Sequence, residues 1–270
     1  MKQIAFYWKW WIGKSTTVSN LSAILGKKWN KVLQIWCDPK HDSTRALLSW
    51  KTLDPVLDIA KKIGSSFGLD DIMKVWYSWV NCIEAWWPEP WVWCAWRWIT
   101  LVMDIIKKLW IFKKWYNYVF YDVLWDVVCW GFAVPIRQYY ANEVYIVVSW
   151  EFMSLYAWNN IAKAIENFWQ RWPVRLAWVI WNERKVKNEK KIIENFAKKL
   201  WTEMIAFIPR DNLIQEAEAN KKTIIEYAPD SELAWIYEKL SINIENNNKF
   251  IIPKPMSENE LENFYFSNLN

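Results

Sequence analysis

The chain has 270 residues, 53% of them hydrophobic, a formal net charge of +5 and one histidine. This length allows a large buried core, but no apolar run reaches the roughly 20 residues that a membrane-spanning helix needs. The modest positive charge is spread over lysine-rich helices, so we expect a cytoplasmic protein with no nucleic-acid and no membrane partner.

Short apolar runs alternate with helical patterns along the chain. Repeated alternation of this kind predicts an α/β fold, a mostly parallel sheet flanked by helices on both faces. The predicted strands are KQIAFY, KVLQI, YVFYDV, EVYIVV, VRLAWVI and EMIAFI, and the predicted helices cover 15–25, 152–167 and 188–200. We expect a single domain over residues 1–270, with a polar tail that frays over about 256–270. Ligands of parallel sheets bind at the carboxyl ends of the strands, so the residues after these strands are the site candidates.

The segment FYWKWWIGKST, after the first predicted strand, ends as a phosphate-binding loop. In the pattern G-x-x-x-x-G-K-[ST], glycines let backbone N–H groups surround a phosphate, the lysine neutralises charge and the hydroxyl binds Mg²⁺. Gly13, Lys14 and Ser15 fill the last three positions. Indoles stand where the loop needs bare backbone, at Trp8, Trp10 and Trp11.

The counts of tryptophan and glycine, 26 and 5, look exchanged, since ordinary chains contain roughly 7% glycine. Tryptophans also stand beside Pro88 and Pro90, and before Asn30, where turn chemistry favours glycine. We therefore hypothesise that most of them are glycine in the natural protein, through a codon, UGA, that the source organism reads as glycine. The alternative is a tryptophan-rich protein that cannot bind phosphate through this loop.

Two acidic segments, WCDPKHDST and YDVLWDVVCWGF, follow the second and third predicted strands. Phosphoryl transfer to water needs Mg²⁺ held by a hydroxyl and a carboxylate, and a polar group that orients the water. We expect Ser15 and Asp122 to hold Mg²⁺, and Asp38 to orient the attacking water. Asp42 and Asp126 are the expected switch residues that sense the γ-phosphate. Each aspartate alone would more commonly cap a turn or a helix, so the prediction depends on the combination.

With glycine at the tryptophan positions, the opening reads GKGGIGKST. It then resembles the deviant P-loop of a superfamily that includes the nitrogenase iron protein and the partitioning and septum-positioning ATPases. The segments WCDPKHDSTR, EAWWPEPWVWCAWRW, DVLWDVVCWGFAVPIR and IPRDNLIQEAE narrow the resemblance to the nitrogenase iron protein family, over essentially the whole chain.

The resemblance implies a P-loop NTPase fold and an ATP-dependent reductase component. Its homodimer would couple MgATP hydrolysis to one-electron transfer, with ferredoxin or flavodoxin as the electron source. The acceptor would be a larger catalytic iron–sulfur or metal-cluster protein, such as dinitrogenase.

The resemblance also implies roles for single residues. Lys14 would bind the β- and γ-phosphates in its own chain, and Lys9 would reach the nucleotide of the partner subunit. Lys9, Asp38 and Asp126 would carry catalysis. Arg97 looks like the family's arginine on the docking face, although a surface arginine is the alternative. The residues expected to bind the nucleotide and its Mg²⁺ are Trp8, Lys9, Trp10, Trp11, Ile12, Gly13, Lys14, Ser15, Thr16, Asp38, Asp42, Asp122, Asn182, Pro209, Arg210 and Asp211.

The four cysteines lie too far apart to indicate a disulfide framework. A [4Fe–4S] cluster needs four thiolates, and no C-x₂-C-x₂-C run supplies them from one chain, whereas two loop cysteines doubled by a two-fold axis do. The resemblance implies that Cys94 and Cys129 are these ligands, with one cluster per dimer. Cys37 and Cys82 are expected to be buried. Asp126 and Cys129 share one segment, so we expect that loss of the γ-phosphate changes the surroundings of the cluster.

Two alternatives remain open. The segments KHDST and LQI are also similar to the reductase subunits of tetrapyrrole-reducing complexes, and APDSE to the reductase for nickel-tetrapyrrole cyclisation. A partitioning-type ATPase would share the P-loop and Lys9 but would lack the paired cysteines. His41 is given no ligand role.

Overall fold

The structure is a computed structural model. It describes residues 1–7, 12–37, 44–85, 95–113, 115–123, 140–171 and 173–269.

One eight-stranded sheet forms the centre of the described part. Its strands are β1 Lys2–Tyr7, β2 Val32–Cys37, β3 Met73–Val75, β4 Asn81–Glu84, β5 Tyr118–Val123, β6 Glu143–Val148, β7 Arg175–Asn182 and β8 Met204–Ile208. The strand order is β3-β4-β2-β5-β1-β6-β7-β8, and every neighbouring pair is parallel except β3 with β4. The predicted α/β fold with a mostly parallel sheet is confirmed.

Helices cover both faces of this sheet. Within the described residues they are α1 Lys14–Lys27, α2 Val56–Ile63, α3 Leu69–Ile72, α4 Ala95–Lys108, α5 Phe152–Phe168, α6 Glu189–Lys199, α7 Leu213–Ala219, α8 Ile224–Tyr227, α9 Glu232–Asn246 and α10 Glu258–Leu269. Short 3₁₀ turns cover Gly64–Ser66, Tyr77–Trp79 and Ile111–Lys113. None of the described helices combines the length and the apolar composition that crossing a bilayer requires.

The alternation of side chains along β1 divides the core in two. Ile4 and Phe6 belong to the cluster formed with α1, α8 and α9, whereas Ala5 and Tyr7 belong to the cluster formed with α2, α4, α5, α6 and α10. All four side chains are buried, because a central parallel strand is covered on both faces. The first strand therefore reads as a continuous apolar run, which is why sequence analysis found it.

The structure adds elements that the sequence pattern did not indicate. Strands β3 and β4 have only three and four residues, too few for a clear period, and helices α2 and α4 form where the sequence pattern predicts a loop. The polar tail expected to fray instead contains α10, where Leu261 is fully buried and Tyr265 is nearly so.

Several helices end in a left-handed tryptophan. These residues are Trp29 after α1 (φ 64°), Trp110 after α4 (φ 58°) and Trp201 after α6 (φ 61°). At the first, the Trp29 N–H donates to the Gly26 carbonyl at 2.9 Å and the Asn30 N–H to the Leu25 carbonyl at 3.1 Å, which is the Schellman arrangement. The left-handed position of this motif is usually glycine. The backbone therefore has the form that the glycine hypothesis expects, and the hypothesis itself stays a prediction.

Candidate nucleotide site

A cavity of about 570 Å³ lies at the carboxyl ends of the strands. Residues 12–16, between β1 and the first turn of α1, line one end of it. Residues 208–211, at the end of β8, line the other. Parallel sheets bind ligands at this edge, so the topology places the predicted phosphate-binding loop where a nucleotide site is expected.

The described part of the phosphate-binding loop turns sharply into α1. Gly13 is left-handed at φ 81°, and a Cβ there would lie 3.0 Å from the Asn182 amide nitrogen. Both the backbone conformation and the close contact therefore favour glycine at this position. The Thr17 N–H and hydroxyl both donate to the Gly13 carbonyl at 2.9 Å. The first turn of α1 contains no acidic residue, and Ser15 and Thr16 lie half-buried there. An uncompensated helix N-terminus of this kind attracts an anion.

Two charged side chains meet beneath the loop. Lys14, the first residue of α1, forms an ion pair with Asp122 of β5, and both side chains are fully buried. Asp122 is held in place by the sheet, where it lies opposite Phe6 of β1. Buried charges are tolerated when they are paired. The lysine predicted to bind phosphate and the carboxylate predicted to serve Mg²⁺ therefore contact each other.

Asn182, at the end of β7, holds the loop from the other side. Its amide group donates to the Ile12 carbonyl and lies 3.5 Å from the Thr17 hydroxyl oxygen. Tyr237 also lines the cavity, and its burial raises the pKa of its hydroxyl, an effect that Thr17 partly offsets. The role of Asn182 in nucleotide binding stays a prediction, and the structure shows that its side chain contacts the loop backbone.

The other end of the cavity is built by the loops after β7 and β8. Pro209, Arg210 and Asp211 line it, as predicted for nucleotide-binding residues, and Arg210 and Asp211 are exposed. The Glu183 carboxylate accepts a hydrogen bond from the Arg210 N–H at 3.2 Å. The Asp211 carboxylate accepts one from the Leu213 N–H at 2.8 Å, at the start of α7. Glu183 therefore ties the two loops together.

A side wall comes from α8, which no motif indicated. The Asn20 side chain donates to the Thr16 carbonyl at 2.8 Å and accepts from the Ile224 N–H at 2.8 Å, so it joins α1 to α8. Thr223 caps α8 through its hydroxyl and lines the cavity. The only sequence signal was a polar residue, Asn20, on the apolar face of a predicted helix.

Other predicted site residues lie outside the described residues, namely Trp8, Lys9, Trp10, Trp11, Asp38, Asp42, Cys94, Asp126 and Cys129. Arg97 lies in the first turn of α4. The segments with the two predicted cluster ligands, 86–94 and 124–139, follow β4 and β5. Both strands pair with β2, one on each side, so the two segments start at the same edge, on the order of 10 Å apart.

The two described cysteines do not fit cluster ligation. Cys37 and Cys82 are both fully buried. Burial, and secondly the charge of Glu84, raise the pKa of the Cys82 thiol well above its usual range. A thiol that stays protonated is a poor ligand, because metals bind the thiolate. Among the described residues, no group of three or more His, Cys, Asp and Glu side chains could hold a metal ion.

Comparison with known families decides the class of protein. Residues 2–269 match the family described as 4Fe-4S iron sulfur cluster binding proteins, NifH/frxC family. The chain belongs to the NifH/frxC family. A nitrogenase iron protein from Methanospirillum hungatei JF-1 is 47% identical to it over 265 residues, which are 97% of this chain and 94% of that protein. The resemblance read from the sequence is confirmed.

Solved structures support the fold independently. The septum site-determining protein MinD of Pyrococcus horikoshii OT3, complexed with Mg-ADP, aligns with a TM-score of 0.69 at 18% identity. The alignment covers 91% of this chain and 97% of that one. A ParA family ATPase from Chlorobium tepidum TLS aligns with a TM-score of 0.67 at 19% identity, covering 89% and 98%. At these identities the likeness concerns the P-loop NTPase fold alone.

Proposed function

We propose that this NifH/frxC family member is an ATP-dependent electron-donating reductase component. As a cytoplasmic homodimer, it would couple MgATP hydrolysis to the transfer of one electron to a larger catalytic protein, such as dinitrogenase. Ferredoxin or flavodoxin would supply that electron. The observation that carries the proposal is the strand-end cavity lined by Gly13 and Lys14, with Lys14 paired to the buried Asp122, in a chain of a cluster-binding family.

The nucleotide-binding part of the proposal follows from the Lys14–Asp122 pair. Phosphates entering the cavity would compete with the Asp122 carboxylate for the Lys14 ammonium. The exchange would leave Asp122 able to hold Mg²⁺, together with the Ser15 hydroxyl. Asn182 and residues 209–211 would contact the base at the far end of the cavity.

The hydrolytic part rests on residues outside the described part of the chain. Asp38 would orient the attacking water, and Asp42 and Asp126 would respond to the γ-phosphate. Lys9 would act on the partner subunit's nucleotide.

The residues that would hold the cluster are Cys94 and Cys129 of each subunit. Two observations support them: Cys37 and Cys82 are buried, and the segments with the other two cysteines start at one edge of the sheet. A [4Fe–4S] cluster stores one electron and gives it up at a potential that nearby hydrogen bonds tune. Arg97 would lie on the surface that docks the catalytic partner.

The test replaces each cysteine in turn. It uses the natural protein, which we define as the chain with the residues that mass spectrometry of the protein from its source organism finds at the tryptophan positions. Cys94→Ala and Cys129→Ala should each abolish bound iron in the purified dimer. Cys37→Ala and Cys82→Ala are the matched controls and should keep it. Full retention of iron in the Cys129→Ala protein would overturn the ligand assignment.

The partner is decided by an electron-transfer assay. The reduced, MgATP-bound dimer should transfer electrons to a dinitrogenase component, whereas the tetrapyrrole alternative requires transfer to a tetrapyrrole-reducing component instead. A partitioning-type ATPase would transfer electrons to neither and would bind no iron.

A further inference from the structure

Two buried side chains join the segment after β2 to the segment after β4. Thr44 is the first described residue after segment 38–43, and Glu84 is the last residue of β4. Each is only 1% exposed, and the Thr44 hydroxyl donates a hydrogen bond to a carboxylate oxygen of Glu84. A buried carboxylate depends on its donors, because losing one leaves desolvated charge uncompensated. This hydrogen bond therefore joins a residue directly after segment 38–43 to a residue shortly before segment 86–94.

The backbone around this hydrogen bond is fixed by the sheet. Glu84 lies in register with Trp36 of β2, and the Ala85 N–H donates to the Trp36 carbonyl at 2.9 Å. Thr44 follows β2 in the chain after segment 38–43. A shift of Thr44 that accompanies a change in that segment would move its hydroxyl relative to a carboxylate that lies two residues before segment 86–94.

We propose that Glu84 is a positioning residue that, through Thr44, carries the state of segment 38–43 to segment 86–94. The inference rests on the proposed function, in which the first segment provides Asp38 and Asp42 to the nucleotide and the second provides Cys94 to the cluster. In the proposed function, a change at the nucleotide already reaches Cys129 through the segment after β5, which begins beyond Asp122. The Thr44–Glu84 contact would be a second connection, and it would reach Cys94. Both cluster ligands of a subunit would then respond to the nucleotide.

The test removes the hydroxyl and keeps the volume. Thr44→Val should retain iron and MgATP binding. The acceleration by MgATP of iron removal by a chelator should fall about fivefold, the size expected from losing one hydrogen bond. The shift in cluster reduction potential on adding MgATP should fall as well. Thr44→Ser, which keeps the hydroxyl, should restore both responses.

A matched control separates coupling from stability. Ser22 donates a buried hydrogen bond to Gln34 at 2.7 Å, and both side chains are fully buried, but neither borders the two segments. Ser22→Ala should lower the unfolding midpoint and leave both MgATP responses unchanged. If it lowers them as much as Thr44→Val does, the inference is wrong.

The inference is also overturned if folded Thr44→Val protein shows the unmodified responses. Should that variant not fold, Thr44→Ala, which also removes the hydroxyl, takes its place, and a full response there contradicts the inference equally. An unmodified protein that binds no iron would count against the proposed function instead. The two failures are therefore distinguishable.

Discussion

The two ends of the nucleotide cavity are built differently. At the phosphate end, Lys14 and Asp122 form an ion pair that is fully buried. At the base end, Arg210 and Asp211 are exposed; the Arg210 N–H donates to the Glu183 carboxylate, and the Asp211 carboxylate accepts from the Leu213 N–H. Buried charge makes the phosphate end sensitive to any change, whereas an exposed loop can adjust. Substitutions should therefore have effects that decrease from the phosphate end to the base end.

The largest effect should come from the tryptophans of the phosphate-binding loop. A protein with Trp8, Trp10 and Trp11 as printed should bind no MgATP, and one with glycine at these positions and at the other recoded sites should bind it. The reason is steric: three indoles would fill the space that backbone N–H groups need to reach phosphate oxygens. Isothermal titration calorimetry on both proteins measures the difference. Equal affinities would mean that the tryptophans are real and that our account of the loop is wrong.

The next effect concerns the buried ion pair. Lys14→Ala should abolish measurable MgATP binding and lower the free energy of unfolding by about 3–5 kcal/mol, since it leaves the Asp122 carboxylate buried without its partner. Chemical denaturation measures the second quantity. Lys28, whose ammonium lies 3.3 Å from the carboxylate of Glu238 in a partly exposed pair, provides the control.

Lys28→Ala should change stability by about 1 kcal/mol or less, because exposed pairs contribute little. We therefore predict a much larger loss in the free energy of unfolding for Lys14→Ala than for Lys28→Ala. Equal losses in both variants would remove the distinction between the buried pair and an ordinary surface pair.

Away from the buried ion pair the effects should be smaller. Asn182→Ala should weaken MgATP binding about tenfold, because it removes the amide that holds the Ile12 carbonyl. Glu183→Gln keeps an acceptor for the Arg210 N–H and should weaken binding about threefold or less. The same titrations rank these variants against Lys14→Ala. A loss at Glu183 as large as that at Lys14 would contradict the ordering.

The last predicted effect lies outside the cavity and concerns folding stability, not nucleotide binding. Trp201→Gly should stabilise the printed protein by about 1–2 kcal/mol, since a left-handed residue with a Cβ costs about that much. Trp235 is also exposed but lies inside helix α9, so Trp235→Gly should destabilise by about 1 kcal/mol. Thermal unfolding measures the change in stability of each variant and shows whether it is an increase or a decrease. Two changes of the same sign would show that backbone conformation does not decide the preference for glycine.

Much of the fold could be predicted because central parallel strands are apolar on both faces. KQIAFY and EVYIVV are such runs, and both form strands of the sheet. β3 and β4 escaped prediction because they are short and contain polar residues, and β3 is also the edge strand of the sheet. Likewise, the tail could not be recognised as a helix from polarity alone, since Leu261 and Tyr265 bury only one side of it.

Candidate site residues could be named from the sequence only where a motif carries the chemistry, and their roles stay predictions. Gly13, Lys14 and Asp122 follow patterns that phosphate and Mg²⁺ binding impose, and the structure brings them together. Residues that act through packing had no such pattern. Asn20 and Glu84 matter because distant segments meet there, and a linear sequence does not show which segments meet.

In the proposed function, one dimer of this protein holds a redox-active cluster whose reduction potential and accessibility to a chelator change when MgATP binds. The most direct measurement is the iron content and visible absorption of the natural protein, purified without oxygen and titrated with dithionite. We predict about four irons per dimer, as one [4Fe–4S] cluster requires, and a broad brown absorption that dithionite bleaches. A folded dimer that binds MgATP but contains no iron and shows no such absorption would contradict the account.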